Sequence, residues 1–526
     1  MDEQPAARGR RLAWSTAIFA LATGLSRILG LVREIVAAYY FGAAGKINAF
    51  TVAFQVPNLV RSLVADAALS SAFVPVFSEL LEKGERKRAW RVASSLFWLM
   101  LLGLGALTAL FIVIAPLIIA PFGDPGGDRE LAIGLSRVLF PIVALLGVSG
   151  VIVGILNSYE HFTVPALTPV FWNLAIIFGL VIGVPRAGSE TAELYVYAFS
   201  ILAGTVIQVL LPLPWLRGRD DRLRVAVDWR DPAVRRVFVL MGPVTLGIGL
   251  ININAVVGTL FASRLIDPNV APAAIDAAFR VYMLPQGMFS VAVATVLFPA
   301  LSRFAARADL DGFRSTISSG MRQIAFLLAP ASAASAVLAE PIVRLLYERG
   351  EFNARETDIV AAALAAFSLG LVFNGIMLML NRGFFGLQAP WTPTLVALGN
   401  LAISTALFAV FYRVGTWGIP LSISLANIGG TAALLLLMRR RIGRIEFGRT
   451  ARTFLLVTLA SALLAVVAFL VWYGLDRALG RSLPAQALSV TLALAAGASA
   501  YLVACRALGV REIDALLSLW ARFRRA

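Results

Sequence analysis

Apolar runs long enough to cross a bilayer recur from one end of this chain to the other, and no other feature narrows its possible folds as far. A spanning helix needs about 20 predominantly apolar residues. Runs of that kind fill most of the 526 residues, which are 59% hydrophobic and only 14% charged. Hydrocarbon offers the backbone no hydrogen-bond partner, so only helices and closed barrels can span it. Barrel strands alternate polar and apolar residues, and these runs are continuous. The chain therefore reads as an all-α polytopic membrane protein. Bounding the runs by charge, Gly and Pro places helices at roughly 14–40, 47–78, 92–114, 131–156, 165–184, 194–215, 237–263, 274–302, 315–338, 358–381, 391–412, 417–438, 453–474 and 485–505, fourteen in all. The first follows Arg8, Arg10 and Arg11, as a signal peptide would. It is too long for one, contains Arg27 and Arg33 and lacks a convincing cleavage site, so it is read as retained.

The net charge of +16 would point to nucleic acid in a soluble protein. Here Lys and Arg concentrate on alternate loops, among them Glu82–Arg91, Arg217–Arg236, Arg439–Arg444 and the tail ending RFRRA. Such asymmetry sets orientation. It predicts both termini in the cytoplasm, with anionic-lipid binding as a further possibility for the basic runs and no nucleic-acid partner. An internal repeat follows. Pro75 in AFVPVFSEL matches Pro299 in VLFPALSRF, Pro116 matches Pro341, Asn157 matches Asn381, and Thr168-Pro169 matches Thr392-Pro393, all at nearly one offset. A duplicated six-helix unit re-enters from the same side, giving parallel repeats of the kind transporters pair around a central site. The expected divisions are an N-terminal lobe at 1–222, a C-terminal lobe at 223–445, and an added helix pair with a basic tail at 446–526.

Ser26–Ser78 carries charges that a lipid-facing helix should lack: Arg27, Arg33, Glu34, Arg61 and Asp66. An insertion scale assigns each central Arg about 2.5–3.5 kcal/mol, so three facing lipid would cost on the order of 10 kcal/mol. They are expected to line a wet cavity instead. Arg27 and Arg33 lie about 120° apart around a helix and can border one broad cavity. Residues i and i+1 do not face each other on a helix, so Glu34 is expected to pair with another helix, through Arg61. Pro57 should kink the second helix or free carbonyls. In the second copy Arg280 again precedes a helix-perturbing proline, Pro285. Arg137 lies near a boundary and is expected to snorkel. Glu34 and Asp66 are taken as the only acids at membrane depth. Four arginines against two carboxylates leave positive charge that a diphosphate would offset, because guanidinium binds phosphate oxygens bidentately. The plainer alternative is that Arg27 or Arg33 is locked to Glu34 or Asp66 as an internal ion pair.

Nothing in the chain reads as catalytic. The single histidine, His161, has no Cys or second His beside it for a metal site. The single cysteine, Cys505, excludes an internal disulfide. No phosphate-cradling loop motif is present. No cofactor and no metal are expected.

SRILGLVRE from Ser26, the PNLVR…AFVPVFSE stretch from Pro57, the ILN…PA..P..N segment from Ile155, LYERGEF from Leu346 and GIPLSISLAN from Gly418 together resemble the MurJ (MviN) family of lipid II flippases, in the multidrug/oligosaccharidyl-lipid/polysaccharide exporter superfamily. The resemblance covers nearly the whole chain. It implies fourteen helices, two six-helix lobes around a V-shaped cavity, a groove for the prenyl tail at the last two helices, and alternating access. The substrate it implies is lipid II, the undecaprenyl-diphosphate-linked precursor of the peptidoglycan wall, moved across the bacterial inner membrane. By motif position the family's essential arginines fall on Arg27, Arg33, Arg61 and Arg280. Ser26 and Asn58, within the same motifs, join them as candidate substrate-binding residues, and Glu34, Asp66 and Asn48 are candidate cavity or gating residues. Asn48 departs from the family, which commonly has Asp there. A flippase for another polyprenyl-diphosphate glycan, or a MATE-like drug exporter with cavity carboxylates, is the competing expectation.

Overall fold

The computed structural model describes residues 5–63, 68–443 and 446–513, with side chains from 21 onward except at 64–71, 243, 244, 246–248, 251, 444, 445 and 447. Among the described residues there are helices and no strands. In chain order they are α1 (Pro5–Phe41), α2 (Ile47–Arg61), α3 (Ala68–Glu82), α4 (Arg86–Ile119), α5 (Arg129–Leu139), α6 (Pro141–Ser158), α7 (Thr163–Phe178), α8 (Glu190–Leu210), α9 (Pro232–Phe261), α10 (Ala271–Pro285), α11 (Val291–Ala306), α12 (Leu310–Val337), α13 (Ala339–Tyr347), α14 (Ala354–Ser368), α15 (Leu371–Gly386), α16 (Trp391–Phe411), α17 (Gly418–Ile442), α18 (Phe447–Leu479) and α19 (Leu483–Ala507).

Over its described residues each of the fourteen expected segments is helical, but several are broken. Among the described residues, nine helices are long and apolar enough to span a bilayer, or up to eleven when two bent pairs are each taken as one span. The breaks have local causes. Pro285 has no N–H to give the carbonyl of the preceding turn, and Gln286–Ser290 opens into a π-helical turn between α10 and α11. The α14–α15 pair bends by 45° around Gly370. A Cβ on Gly370 would lie 2.7 Å from Ser424 Cα on α17, so the bend accompanies a close backbone approach. The short α13, bent 76° from α12, was not expected from the sequence.

The chain divides into two compact units, Met1–Arg264 with Pro268–Pro272, and Leu265–Asp267 with Ala273–Ala526. This division falls later than the 222/223 boundary that the repeat suggests. The reason is burial. Val234, Val237 and Met241 of α9 share one core with Phe73, Phe77, Trp90 and Val151, so α9 packs with α3 and α2 in the first unit. In the second unit α18 and α19 form a hairpin on α12, joining Phe326, Leu338, Leu464, Trp472 and Tyr501 in one core. Lipid tails are as apolar as Leu, so such contacts gain little from leaving lipid; close packing and buried hydrogen bonds hold them instead. Ala460, Ala468 and Ala493 supply the small surfaces, and Tyr501 Oη donates to the Phe326 carbonyl at 2.7 Å.

Candidate functional site

In the first unit the candidate residues lie on α1 and α2, with α7 packed along α1. Arg33 is 9% exposed. Its guanidinium stacks over the Trp172 ring at 4.7 Å and its Nε donates to Glu34 Oε1 at 3.1 Å. The premise that adjacent Arg33 and Glu34 cannot face each other is therefore corrected, and the internal ion pair weighed as the plainer alternative for Arg33 is present. The long Arg33 stem swings off its own helix toward α7, which brings the guanidinium within reach of the neighbouring carboxylate. Trp172 is itself oriented, its indole N–H donating to Thr205 Oγ1 at 3.2 Å. Beside it Asn173 donates to the Ser26 carbonyl at 3.3 Å and to the Pro169 carbonyl at 2.9 Å, fastening α7 to α1 one residue before Arg27. Ser26 thus enters this contact through its backbone. Arg27 is exposed.

Arg61 closes α2. Its Nε and Nη2 both reach Asn58 Oδ1, at 3.1 and 2.9 Å, so Asn58 holds the fork of Arg61 one turn on. Pro57 is accommodated within α2 and buried. Asp66 lies outside the described residues. Arg137 is exposed at the last turn of α5 and donates to the Ile112 carbonyl at 3.3 Å.

Asn48 stands apart from these arginines, at the start of α2, where it is fully buried. Its amide donates to the carbonyls of Ala43, Gly45 and Asn269, at 3.1, 3.1 and 2.6 Å. A carboxylate has no proton for three carbonyls, which gives the amide at this position a physical reason. The same knot includes Gly126, whose N–H donates to the Pro268 carbonyl at 2.9 Å. Gly126 has φ +68°, and a Cβ there would fall 2.8 Å from the Gly45 carbonyl oxygen.

In the second unit Arg280 sits on α10, and its Nε donates to Asp276 Oδ2 at 2.8 Å, one turn earlier. The sequence reading, which allowed only Glu34 and Asp66 as acids at depth, is corrected by Asp276. One turn separates the two residues, an ordinary helical spacing for an ion pair, and Asp276 lies near the start of the segment expected at 274–302. Near it Tyr282 accepts from Asn374 Nδ2 at 2.8 Å, and its ring lies 5.3 Å from that of Phe367. Trp172, Asn173, Asp276 and Tyr282 are the residues that sequence reasoning missed. Asn173 closes the ILN…PA..P..N motif and was the one legible signal among them.

His161 lies in the loop after α6, and among the described residues no group of three or more His, Cys, Asp or Glu is placed to hold a metal.

A family model described as "Lipid II flippase MurJ" matches residues 37–493. The lipid II flippase MurJ of Burkholderia cenocepacia is 31% identical over 428 residues, covering 80% of this chain and 82% of that protein. The probable lipid II flippase MurJ of Vibrio cholerae serotype O1 is 32% identical over 526 residues, covering 96% and 98%. Among solved structures, a lipid II flippase MurJ in an inward closed conformation aligns with TM-score 0.77 at 24% identity, over 94% of this chain and 99% of that one. An inward-facing MATE-family multidrug resistance transporter of the MOP superfamily aligns with TM-score 0.68 at 18% identity, over 79% and 94%. The two structural likenesses speak for the fold.

Proposed function

The chain belongs to the MurJ lipid II flippase family, and from that premise we propose that it moves lipid II by alternating access, with Arg27, Arg33, Arg61 and Arg280 taking the diphosphate. It is a multi-pass membrane transporter, not an enzyme. The observation that carries the arginine assignment is the treatment of the side chains themselves. Arg33 and Arg61 are each held in a fixed fork by a neighbour, Arg33 by Trp172 and Glu34, Arg61 by Asn58. A planar guanidinium pre-oriented in this way loses less freedom when it meets phosphate oxygens. Ser26 and Asn58 serve that arrangement from the backbone and the side chain respectively. Helices α18 and α19 take the prenyl tail, both termini face the cytoplasm, and the protein resides in the bacterial inner membrane.

A drug exporter of MATE type shares the fold but needs available carboxylates for a cationic substrate. Glu34 and Asp276 each sit against an arginine, and Arg27 and Arg61 add guanidinium groups beyond those two pairs, which favours the anionic substrate. The test is lipid II translocation in proteoliposomes, together with complementation of a flippase-depleted strain. Arg27→Ala, Arg61→Ala and Arg280→Ala should each abolish transport while membrane insertion persists. Loss of one charged hydrogen-bonding group removes about 1.5–3 kcal/mol. Arg→Lys should be only partly tolerated, since a point charge lacks the fork. Full complementation by all three Ala variants would refute the assignment. Transport of another polyprenyl-diphosphate glycan in preference to lipid II would redirect the substrate.

A further inference from the structure

The connection between α8 and α9 has a construction that transport does not explain. Its segment 223–229 is irregular yet pinned along α4. The Arg224 N–H donates to Ser94 Oγ at 3.1 Å and the Asp228 N–H to Ser95 Oγ at 3.3 Å, while the Trp98 indole donates to the Arg224 carbonyl at 3.0 Å. Leu223 packs inward against the core of the first unit. The apolar residues that follow are open: Val225 is 80% exposed, Val227 49% and Trp229 65%. A fastened backbone presenting three large apolar groups outward is unfavourable against water and favourable against hydrocarbon.

The neighbouring helices fix the level at which this happens. On α4, Arg86, Lys87, Arg88 and Arg91 are exposed, and the exposed apolar face begins at Leu102, one turn beyond Trp98. On α9, exposed Arg235 and Arg236 are followed within two residues by exposed Phe238, Val239 and Leu240. The pinned segment therefore lies where charge gives way to apolar surface on both helices, the zone that Trp favours in a bilayer.

The charges around it are arranged for an anion. Arg222, Arg224 and Arg230 are exposed and interleave with the apolar residues. The acids of the loop are engaged locally. Asp220 accepts from Arg86 and Tyr159, Asp228 from the N–H groups of Arg230 and Asp231, and Asp221 from Arg222 and Arg224. The Arg224–Asp221 contact is solvent-exposed on the Arg side, the kind of pair that exchanges readily for another anion.

We propose that residues 222–230 form a membrane-surface anchor, in which Val225, Val227 and Trp229 enter the adjoining leaflet and Arg222, Arg224 and Arg230 bind anionic phospholipid headgroups. The anchor is independent of the lipid II reading, since its test reads no transport. The full-length protein, with buried Cys505 left in place, carries a nitroxide at Val225→Cys, Val227→Cys or Trp229→Cys. It is reconstituted into nanodiscs of phosphatidylcholine, with or without phosphatidylglycerol. Collision with oxygen is compared with collision with a water-soluble nickel chelate, using a label at Arg217→Cys as the water reference. The three labels should favour oxygen over the reference. Phosphatidylglycerol should raise that preference by about twofold, and high salt or the Arg222→Gln/Arg224→Gln/Arg230→Gln variant should remove the rise. The salt arm needs no variant, so a misfolded triple substitution does not decide the matter. Labels as open to nickel as the reference would overturn membrane contact and leave a soluble partner as the occupant. Oxygen preference that ignores phosphatidylglycerol and salt would overturn the anionic-lipid assignment.

Discussion

Arg33 illustrates how an arginine in a membrane helix is accommodated. Trp172 holds one face of the guanidinium at 4.7 Å and Glu34 takes its Nε. A cation–π contact of this kind is worth about 2 kcal/mol when desolvated. Trp172→Ala should therefore slow lipid II translocation by up to about thirtyfold, and Trp172→Phe should recover part of the rate; an unchanged rate in proteoliposomes would remove Trp172 as a positioning residue. Outside the membrane, His161 makes a different prediction. Burial, and secondarily the nearby Arg219 charge, hold its imidazole below the usual 6.5. The unfolded chain then takes up a proton near pH 6.5 that the folded protein refuses. Stability is full above that pH and falls as pH drops from about 6.5 toward the depressed value. His161→Gln should flatten the loss of melting temperature between about pH 7.5 and 5.5 in detergent. Its neighbour Tyr159 stays protonated throughout, because burial, with Asp220 next, raises its phenol to about 12.

At the scale of elements, the α18–α19 hairpin is fastened to α12 and α13 at both ends. Arg322 of α12 reaches Glu512 at 2.9 Å and Glu446 at 3.1 Å. At the other end Arg344 of α13, whose side chain is 3% exposed, pairs with Asp476 and lies 3.6 Å from Glu340 and 5.8 Å from the Trp472 ring. Removing one partner of a buried pair strands the other charge, at about 3–5 kcal/mol. Asp476→Asn and Arg344→Met should each lower the melting temperature markedly, and Arg344→Met combined with Asp476→Leu should recover part of the loss. A double variant no better than the singles would show that the packing around the pair, not its charge, sustains the joint.

For the whole molecule, the Lys and Arg asymmetry predicts cytoplasmic termini and cytoplasmic loops at 79–91, 217–236 and 439–452. A cysteine placed by Arg222→Cys should resist a periplasmic thiol reagent and react after permeabilisation; the reverse pattern would invert the topology. The driving force is a second prediction at this scale. A diphosphate carried outward moves negative charge away from an inside-negative compartment, and each elementary charge is worth about 2.3 kcal/mol per 100 mV. Resetting the empty carrier moves its arginines toward the negative side. The described acids on α1 and α10 are occupied by Arg33 and Arg280, which leaves no evident carboxylate proton relay there. Export should therefore fall when the potential is collapsed at constant pH gradient. Loss only on dissipating the pH gradient would contradict this.

The sequence by itself determined the class of protein and the approximate place of the long described helices, and it singled out the arginines to be tested, because bilayer thickness and the cost of charge in hydrocarbon are properties of residue type and spacing. Family membership was legible for a related reason: its motifs are short and contiguous, as in SRILGLVRE and PNLVR. The partners of those arginines were decided by tertiary structure. Arg33 pairs with an adjacent residue because Trp172, more than a hundred positions away, captures its guanidinium, and no periodicity rule contains that. Asn48 looked like a lost acid until three carbonyls, one from Asn269, showed why an amide belongs there. The assignment of α9 to the first unit is of the same kind. Repeats record where a sequence was copied, whereas Val234, Val237 and Met241 join whichever core their neighbours complete.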